Sequence, residues 1–197
     1  MTWPFGMMRQ GVHGVIYADP AWQFQGYADA GVPQQKAGQH YQTMRVEDMA
    51  KLPVWRLAAP DCALFMWGIS SHLEQALWLG RKWGFTYSSK AFTWAKLNKN
   101  AIADERRCDD PSAYFIGMGH GTRRNTEDCW LFTRGNPKRM DKGVRELIVS
   151  PVREHSRKPD ETYERIERLF RGPYAELFAR SQRPGWSIWG NETSKFG

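Results

Sequence analysis

The sequence predicts a single α/β domain built on one doubly wound sheet with helices on both faces. Apolar runs of strand length alternate with amphipathic helical segments along the whole chain. The 197 residues are enough for one ordinary domain with its own core. No repeat or linker divides them, so the domain is expected to span 1–197 with loops at about 26–42 and 98–126.

Residues 14–18, Gly-Val-Ile-Tyr-Ala, form an apolar run that stops at Asp19-Pro20. That pattern is a buried strand delivering a polar residue at its carboxyl end, where open α/β sheets place their sites. Residues 26–42 turn to Gly, Gln, Ala and Pro without periodicity, which predicts a loop suited to closing over a substrate. A helix begins after Thr43, with Val46, Met49 and Ala50 inward and Pro53 ending it. Residues 62–67 are a second buried strand. Ser71 and Glu74 have capping-box spacing before a helix that turns Leu73, Ala76, Leu77 and Trp83 inward and closes at Gly84. Residues 85–97 alternate as a strand, and 98–126, polar, basic and glycine-bearing, predict an exposed loop. Strands follow at 128–133 and 146–150, then a helix over 159–171 with an acidic start and a basic end. Its pairs Glu161 with Arg165, Glu164 with Arg168 and Glu167 with Arg171 have the spacing for ion pairs. Residues 174–179 and 186–189 supply the last strands.

Composition narrows the partners. Twenty-eight Lys and Arg against 21 Asp and Glu leave a net charge of +7, which favours a polyanion such as nucleic acid. Cys62, Cys108 and Cys129 are widely spaced, with no accompanying His at zinc spacing, so neither a disulfide framework nor a metal site is expected. With no bilayer-length apolar run and no cleavable leader pattern, a soluble cytoplasmic protein without membrane contact is expected.

The segment Asp19-Pro20-Ala21-Trp22 carries candidate chemistry. An amine conjugated to an aromatic ring is a poor nucleophile because its lone pair is delocalised. Acceptors aimed at its two N–H bonds favour the pyramidal, reactive form. The Asp19 carboxylate and the Pro20 carbonyl are such acceptors, placed by a strand end and a residue of fixed φ. Trp22 offers a flat face for a base, a stacking contact worth roughly 1 to 3 kcal/mol. Alone, an Asp-Pro pair after a strand is more often a turn.

Its company is more specific. Tyr41-Gln42-Thr43-Met44, Leu64-Phe65-Met66-Trp67, Trp83-Gly84-Phe85, Trp94-Ala95-Lys96, Asn125-Thr126-Glu127 and Arg134-Gly135 follow in order. After them come His155-Ser156-Arg157-Lys158-Pro159, Glu176-Leu177-Phe178-Ala179-Arg180 and Trp189-Gly190-Asn191-Glu192. This ordered set resembles the adenine N6-methyltransferases of the MT-A seventy-kilodalton-subunit family over nearly the whole chain. Asp19-Pro20-Ala21-Trp22 is similar to that family's Asp-Pro-Pro-Trp.

The resemblance implies a Rossmann-like methyltransferase fold in permuted order, with the catalytic motif ahead of the cofactor strand. It implies S-adenosylmethionine as methyl donor, held by Lys158, Arg180, Asn191 and Glu192, and an adenine pocket lined by Tyr41 and Lys96. Cations at Lys158 and Arg180 suit the donor's carboxylate or ribose, and Asn191 with Glu192 suits ribose hydroxyls. Arg123 and Arg124, in the basic loop, are expected to contact nucleic acid, DNA ahead of RNA. The family's habit of pairing active with silent subunits implies a homodimer or heterodimer, or a silent binding partner as the alternative to an enzyme. A free nucleotide as substrate would need no basic loop. Two departures stand out: Ala21 replaces the second proline, which loosens the turn and predicts slower transfer, and only 18 residues precede Asp19, leaving little room for the acidic residue that grips the donor's adenine in longer members.

Overall fold

The computed structural model describes residues 2–22, 43–105, 109–117, 119, 121–154, 157–191 and 193. Strand β1 (His13–Ala18) is buried along almost its whole length, as expected where both faces of a sheet are covered. Helix α1 (Val46–Ala50) turns Met49 into the core and leads through a short turn to β2 (Ala58–Gly68), buried from Cys62 onward. Helix α2 (Leu73–Lys82) follows, then β3 (Thr86–Leu97), β4 (Thr126–Arg134) and β5 (Leu147–Pro151). Helix α3 (Glu161–Leu169), β6 (Tyr174–Leu177) and β7 (Trp186–Trp189) complete the chain.

The seven strands form one sheet in the order β5-β3-β4-β2-β1-β6-β7. Strand β4 is antiparallel to β2 and β3, and every other neighbouring pair is parallel. Alternate residues of each strand feed two cores. Ile16, Leu64, Met66 and Phe132 meet Met49, Ala76 and Leu79 of α1 and α2 on one face. Val15, Tyr17, Phe65 and Phe92 meet Ile166 of α3 on the other. Helices thus cover both faces. From β1 the chain passes to β2 on one side, while β6, reached through α3, lies on the other. The carboxyl end of β1 is therefore a topological switch point.

Several expectations need correction. Ser71 does not close a capping box: its hydroxyl lies 3.0 Å from His72 Nδ1, inside a short 3-10 turn, and the cap position of α2 falls to His72, whose side chain does not bond the first-turn N–H groups. The end of α2 is secured from elsewhere, by the buried Trp83 indole donating to the Met49 carbonyl at 2.9 Å and by Gly84 at φ +84°. On α3 the first of the three expected pairs, Glu161 with Arg165, forms at 2.6 Å, whereas Arg168 turns to Asp141 and Glu167 to Arg183. The stretch after β3 is more than a solvated loop, because Leu97, Ala101 and Ala113 bury a small core of their own beneath Tyr114. The expected loop at 26–42 lies outside the described residues. Among the described residues no helix is long and apolar enough to cross a membrane.

Candidate active site

Asp19 leaves the switch-point end of β1 and meets two cations from distant parts of the chain. Lys158 Nζ lies 2.9 Å from each of its carboxylate oxygens, and Arg180 Nη2 lies 3.8 Å away. Lys158 reaches in from the segment before α3, and Arg180 follows β6, the strand beside β1. Phe178, at φ +62°, turns the chain sharply after β6, and Ala179 N–H then donates to the Trp189 carbonyl of β7 at 3.0 Å. Gly190 is required at this crossing: a Cβ there would sit 2.4 Å from the Ala179 carbonyl oxygen. Asn191 comes next, exposed, at the end of β7.

The ion pair continues inward. Lys158 Nζ is 3.4 Å from Glu127, whose other carboxylate oxygen pairs with Lys96. Glu127 reaches this edge because β4 runs backwards, so its first residues lie beside the last residues of β3, Trp94 opposite Glu127. Burial pushes the Glu127 carboxyl up, but Lys158 and Lys96 outweigh that and hold it below its ordinary range. Burial likewise disfavours the Lys158 ammonium, and Asp19 with Glu127 more than restores it, raising its pKa. Both groups are charged at neutral pH.

The turn after Asp19 is tied down by its own backbone. Trp22 N–H donates to the Pro20 carbonyl at 2.8 Å, and Met44 N–H to the Ala21 carbonyl at 2.9 Å. Trp22 is only 6% exposed, and its indole donates to the Trp67 carbonyl at 3.1 Å. Trp67 in turn donates from its own indole to Tyr17 Oη at 2.7 Å, and Lys158 Nζ sits 5.7 Å over its ring. Trp67 therefore braces both the motif and the lysine.

Glu176, on β6 opposite Tyr17, is 5% exposed. Tyr163 Oη donates to its Oε1 at 2.9 Å, while Oε2 is buried without a partner among the described residues. Burial pushes this carboxyl up to about 7, with the Tyr163 bond pulling the other way and Asp19 adding to the rise. Cys62 and Cys129 are buried free thiols pushed up by burial, Cys62 to about 12, and neither is a nucleophile at neutral pH.

Of the residues expected at the site, Asp19, Pro20, Ala21, Trp22, Lys158, Arg180 and Lys96 converge on this edge, and Asn191 follows two residues after the end of β7. Arg123 and Arg124 stand on the insert between β3 and β4, where Gly117 and Arg124 form a two-way backbone bridge. Tyr41 and Glu192 lie outside the described residues. Glu127, Trp67 and Glu176 received no role from the sequence, although each falls in one of the ordered motifs, which was the available signal.

A sheet with one reversed strand, carrying an acceptor-bearing turn at its switch point and a set of cations beside it, is the framework of a Rossmann-like α/β methyltransferase. The MT-A70 family model matches residues 13–192. The chain belongs to that family and is an N6-adenine methyltransferase. It is similar to the Type II methyltransferase M.MunI of a Mycoplasma species, 29% identical over 205 residues that cover 95% of this chain and 81% of that protein. It is also similar to the N(6)-adenosine-methyltransferase MT-A70-like protein of Arabidopsis thaliana, 32% identical over 95% of this chain and 25% of that protein. The human N(6)-adenosine-methyltransferase catalytic subunit METTL3 is 30% identical over 92% of this chain and 28% of that protein.

Proposed function

We propose that this protein transfers a methyl group from S-adenosylmethionine to the exocyclic N6 of adenine in DNA. The observation that carries the reading is the Asp19 carboxylate at the switch point, held by Lys158 at 2.9 Å with Arg180 at 3.8 Å. Support for DNA comes from the similarity to M.MunI, which extends over 81% of that protein, against 25% and 28% for the two N(6)-adenosine enzymes. The position of β6, later in the chain than β1 yet beside it in the sheet, supports the permuted order of motifs.

The charges around Asp19 fit the donor. Lys158, Arg180 and Lys96 cluster beside Asp19 and Glu127, and cations of this kind suit a carboxylate brought by the donor. Glu176 Oε2, buried without a partner among the described residues, is an acceptor suited to an ammonium group. Asn191, whose amide both donates and accepts, would serve ribose hydroxyls. When bound, S-adenosylmethionine supplies a methyl carbon already activated by its sulfonium.

The protein's own part is orientation. Asp19 accepts one N–H of the adenine amine, and the Pro20 carbonyl, which has a second lone pair beyond the Trp22 bond, accepts the other. This arrangement would favour the pyramidal nitrogen that accepts an activated methyl group, with one N–H proton released to solvent. Lys158 occupies both oxygens of Asp19 in this structure, so it shares the carboxylate or shifts toward the donor when adenine enters. Trp22 is largely enclosed and acts first as a clamp on the turn, its uncovered edge being what remains for a base.

The test is transfer from labelled donor to defined DNA and RNA oligomers, with nucleoside mass analysis of the product. N6-methyladenine in DNA is expected, and Asp19→Ala is expected to reduce the rate by roughly 10²- to 10³-fold or more. Labelling of RNA alone would overturn the DNA assignment, and an Asp19→Ala variant with undiminished turnover would remove the mechanism.

A further inference from the structure

The insert between β3 and β4 is a braced projection beside the site. Its base is the small core of Leu97, Ala101 and Ala113. The Asn98 side chain donates to the Ser112 and Tyr114 carbonyls at 2.8 and 3.1 Å, and Phe115 N–H donates to the Lys96 carbonyl at 2.9 Å. Gly117 and Arg124 then exchange both backbone hydrogen bonds, at 2.7 and 3.2 Å, which fixes the two flanks of a hairpin. At this bridge Ile116 stands 70% exposed, against 36% for its neighbour Phe115, with Arg123 exposed on the opposite flank. The hairpin is joined to Lys96, the last member of the chain of charges that begins at Asp19.

A single exposed isoleucine is ordinary. An isoleucine held out on a braced hairpin, with arginines on the other flank and the acceptor site at its root, is a specific arrangement. A branched aliphatic side chain has no flat face on which an unpaired base can stack, so it is ill suited to gripping single strands, which aromatic residues do. It is suited to entering a base step, as apolar wedges do when a duplex is unstacked. An adenine inside a duplex cannot reach a carboxylate at a strand end without leaving the stack, and the vacated space needs filling.

We infer that Ile116 is a wedge that enters duplex DNA beside the target adenine and holds the stack open while Arg123 and Arg124 grip the flanking phosphates. The inference rests on the adenine-methylation reading above and adds base-paired DNA as the form of substrate that the insert recognises.

The experiment compares kcat/KM of the full chain on one DNA sequence as single strand and as duplex, and follows 2-aminopurine fluorescence at the target position. Ile116→Ala is expected to lower duplex methylation by roughly ten- to a hundredfold and to abolish the fluorescence rise, while single-strand methylation stays within about twofold. Ile116→Leu should keep most duplex activity, and an abasic site opposite the target should rescue Ile116→Ala by removing the need to break a pair. Equal loss on both substrates, or no loss on duplex, overturns the wedge. Wild-type activity confined to single strands or to RNA also overturns it, while leaving adenine methylation standing. Absence of methylation on every nucleic acid removes the underlying reading as well.

Discussion

Two sets of ion pairs in this molecule use the same residue types and do different things. On the outer side of α3, Glu161 pairs with Arg165 and Asp141 with Arg168, each at 2.6 Å, with the acidic partners 46% and 34% exposed. At the carboxyl edge of the sheet, Asp19, Lys158, Glu127 and Lys96 alternate in sign with exposures of 17%, 9%, 13% and 13%. Solvent screens the first set, and such pairs contribute about 0 to 1 kcal/mol each. The second set has lost most of its hydration, so its charges face one another in place of water. Short distance alone does not separate the two; burial of both partners does, since Arg165 is only 13% exposed but its partner Glu161 is 46% exposed. The buried chain sets an acceptor, Asp19, beside cations at a place where a substrate amine can reach it.

Glu127→Gln breaks the buried chain at its centre. The glutamine keeps the volume but takes the carboxylate away from Lys96 and leaves Lys158 with Asp19, and loss of one partner from a buried pair costs about 3 kcal/mol or more. Urea unfolding should show a loss of that size, and methylation should fall with it because Lys158 is left to close on Asp19 alone. The wild type should reproduce part of the effect in acid. Glu127 titrates below its ordinary 4.5 in the folded state, so its stabilisation is present above that value and fades as pH falls through the lower, folded one. A variant as stable as the wild type at neutral pH would place the buried chain in the same class as the surface pairs.

The contrast also explains what was legible in the sequence. The strands at 14–18, 62–67 and 186–189 could be read because a sheet covered on both faces writes itself as short apolar runs. Asp19 was legible because it ends such a run. Features set by near neighbours on one helix were read less well. The spacing of Ser71 and Glu74, and of Glu164 and Arg168, is compatible with a cap and a pair. Yet His72 lies closer to the Ser71 hydroxyl, and Asp141 competes for Arg168. Nothing local marks the bond between Lys158 and Asp19, which joins residues 139 positions apart. Glu127 was hidden for the same reason: its role depends on the reversal of β4, which brings it beside Lys96. The small core under the insert escaped notice because Ala101 and Ala113 are too small to stand out in a polar stretch.

Glu176 sharpens the comparison, being a buried carboxyl with no ion pair among the described residues. The Tyr163 hydroxyl donates to it, and burial raises it to about 7 against an ordinary 4.5. The folded state therefore holds a proton there that the unfolded chain has already released between those two values. Folding stability falls as pH rises from about 4.5 to 7 and levels off above, by an amount on the order of 2 to 3 kcal/mol from this group. Glu176→Gln, which still accepts from Tyr163, should remove that slope, so the variant gains on the wild type toward neutral pH. Unfolding measured at pH 5 and pH 8 for both proteins is the check. Parallel pH profiles would mean that Glu176 is compensated like Glu127, by a charge close to it.

Glu161→Ala should have the smallest effect. Arg165 donates to Glu161 from both Nε, at 3.0 Å, and Nη2, at 2.6 Å. Yet Glu161 is 46% exposed, and Arg165 keeps a second acceptor in the Arg145 carbonyl when Glu161 is removed. The expected loss is about 0.3 to 0.5 kcal/mol at low salt, as for other pairs four residues apart on a helix. Because the charges are screened within a few ångströms at high ionic strength, the difference between variant and wild type should shrink further in about 1 M salt. Methylation should be unchanged, since Arg165 is held by Glu161 and the Arg145 carbonyl rather than by the pairs described around Asp19. A loss as large as that of Glu127→Gln, persisting in salt, would show that geometry rather than burial decides the strength of an ion pair here, and would undo the distinction between the two regions.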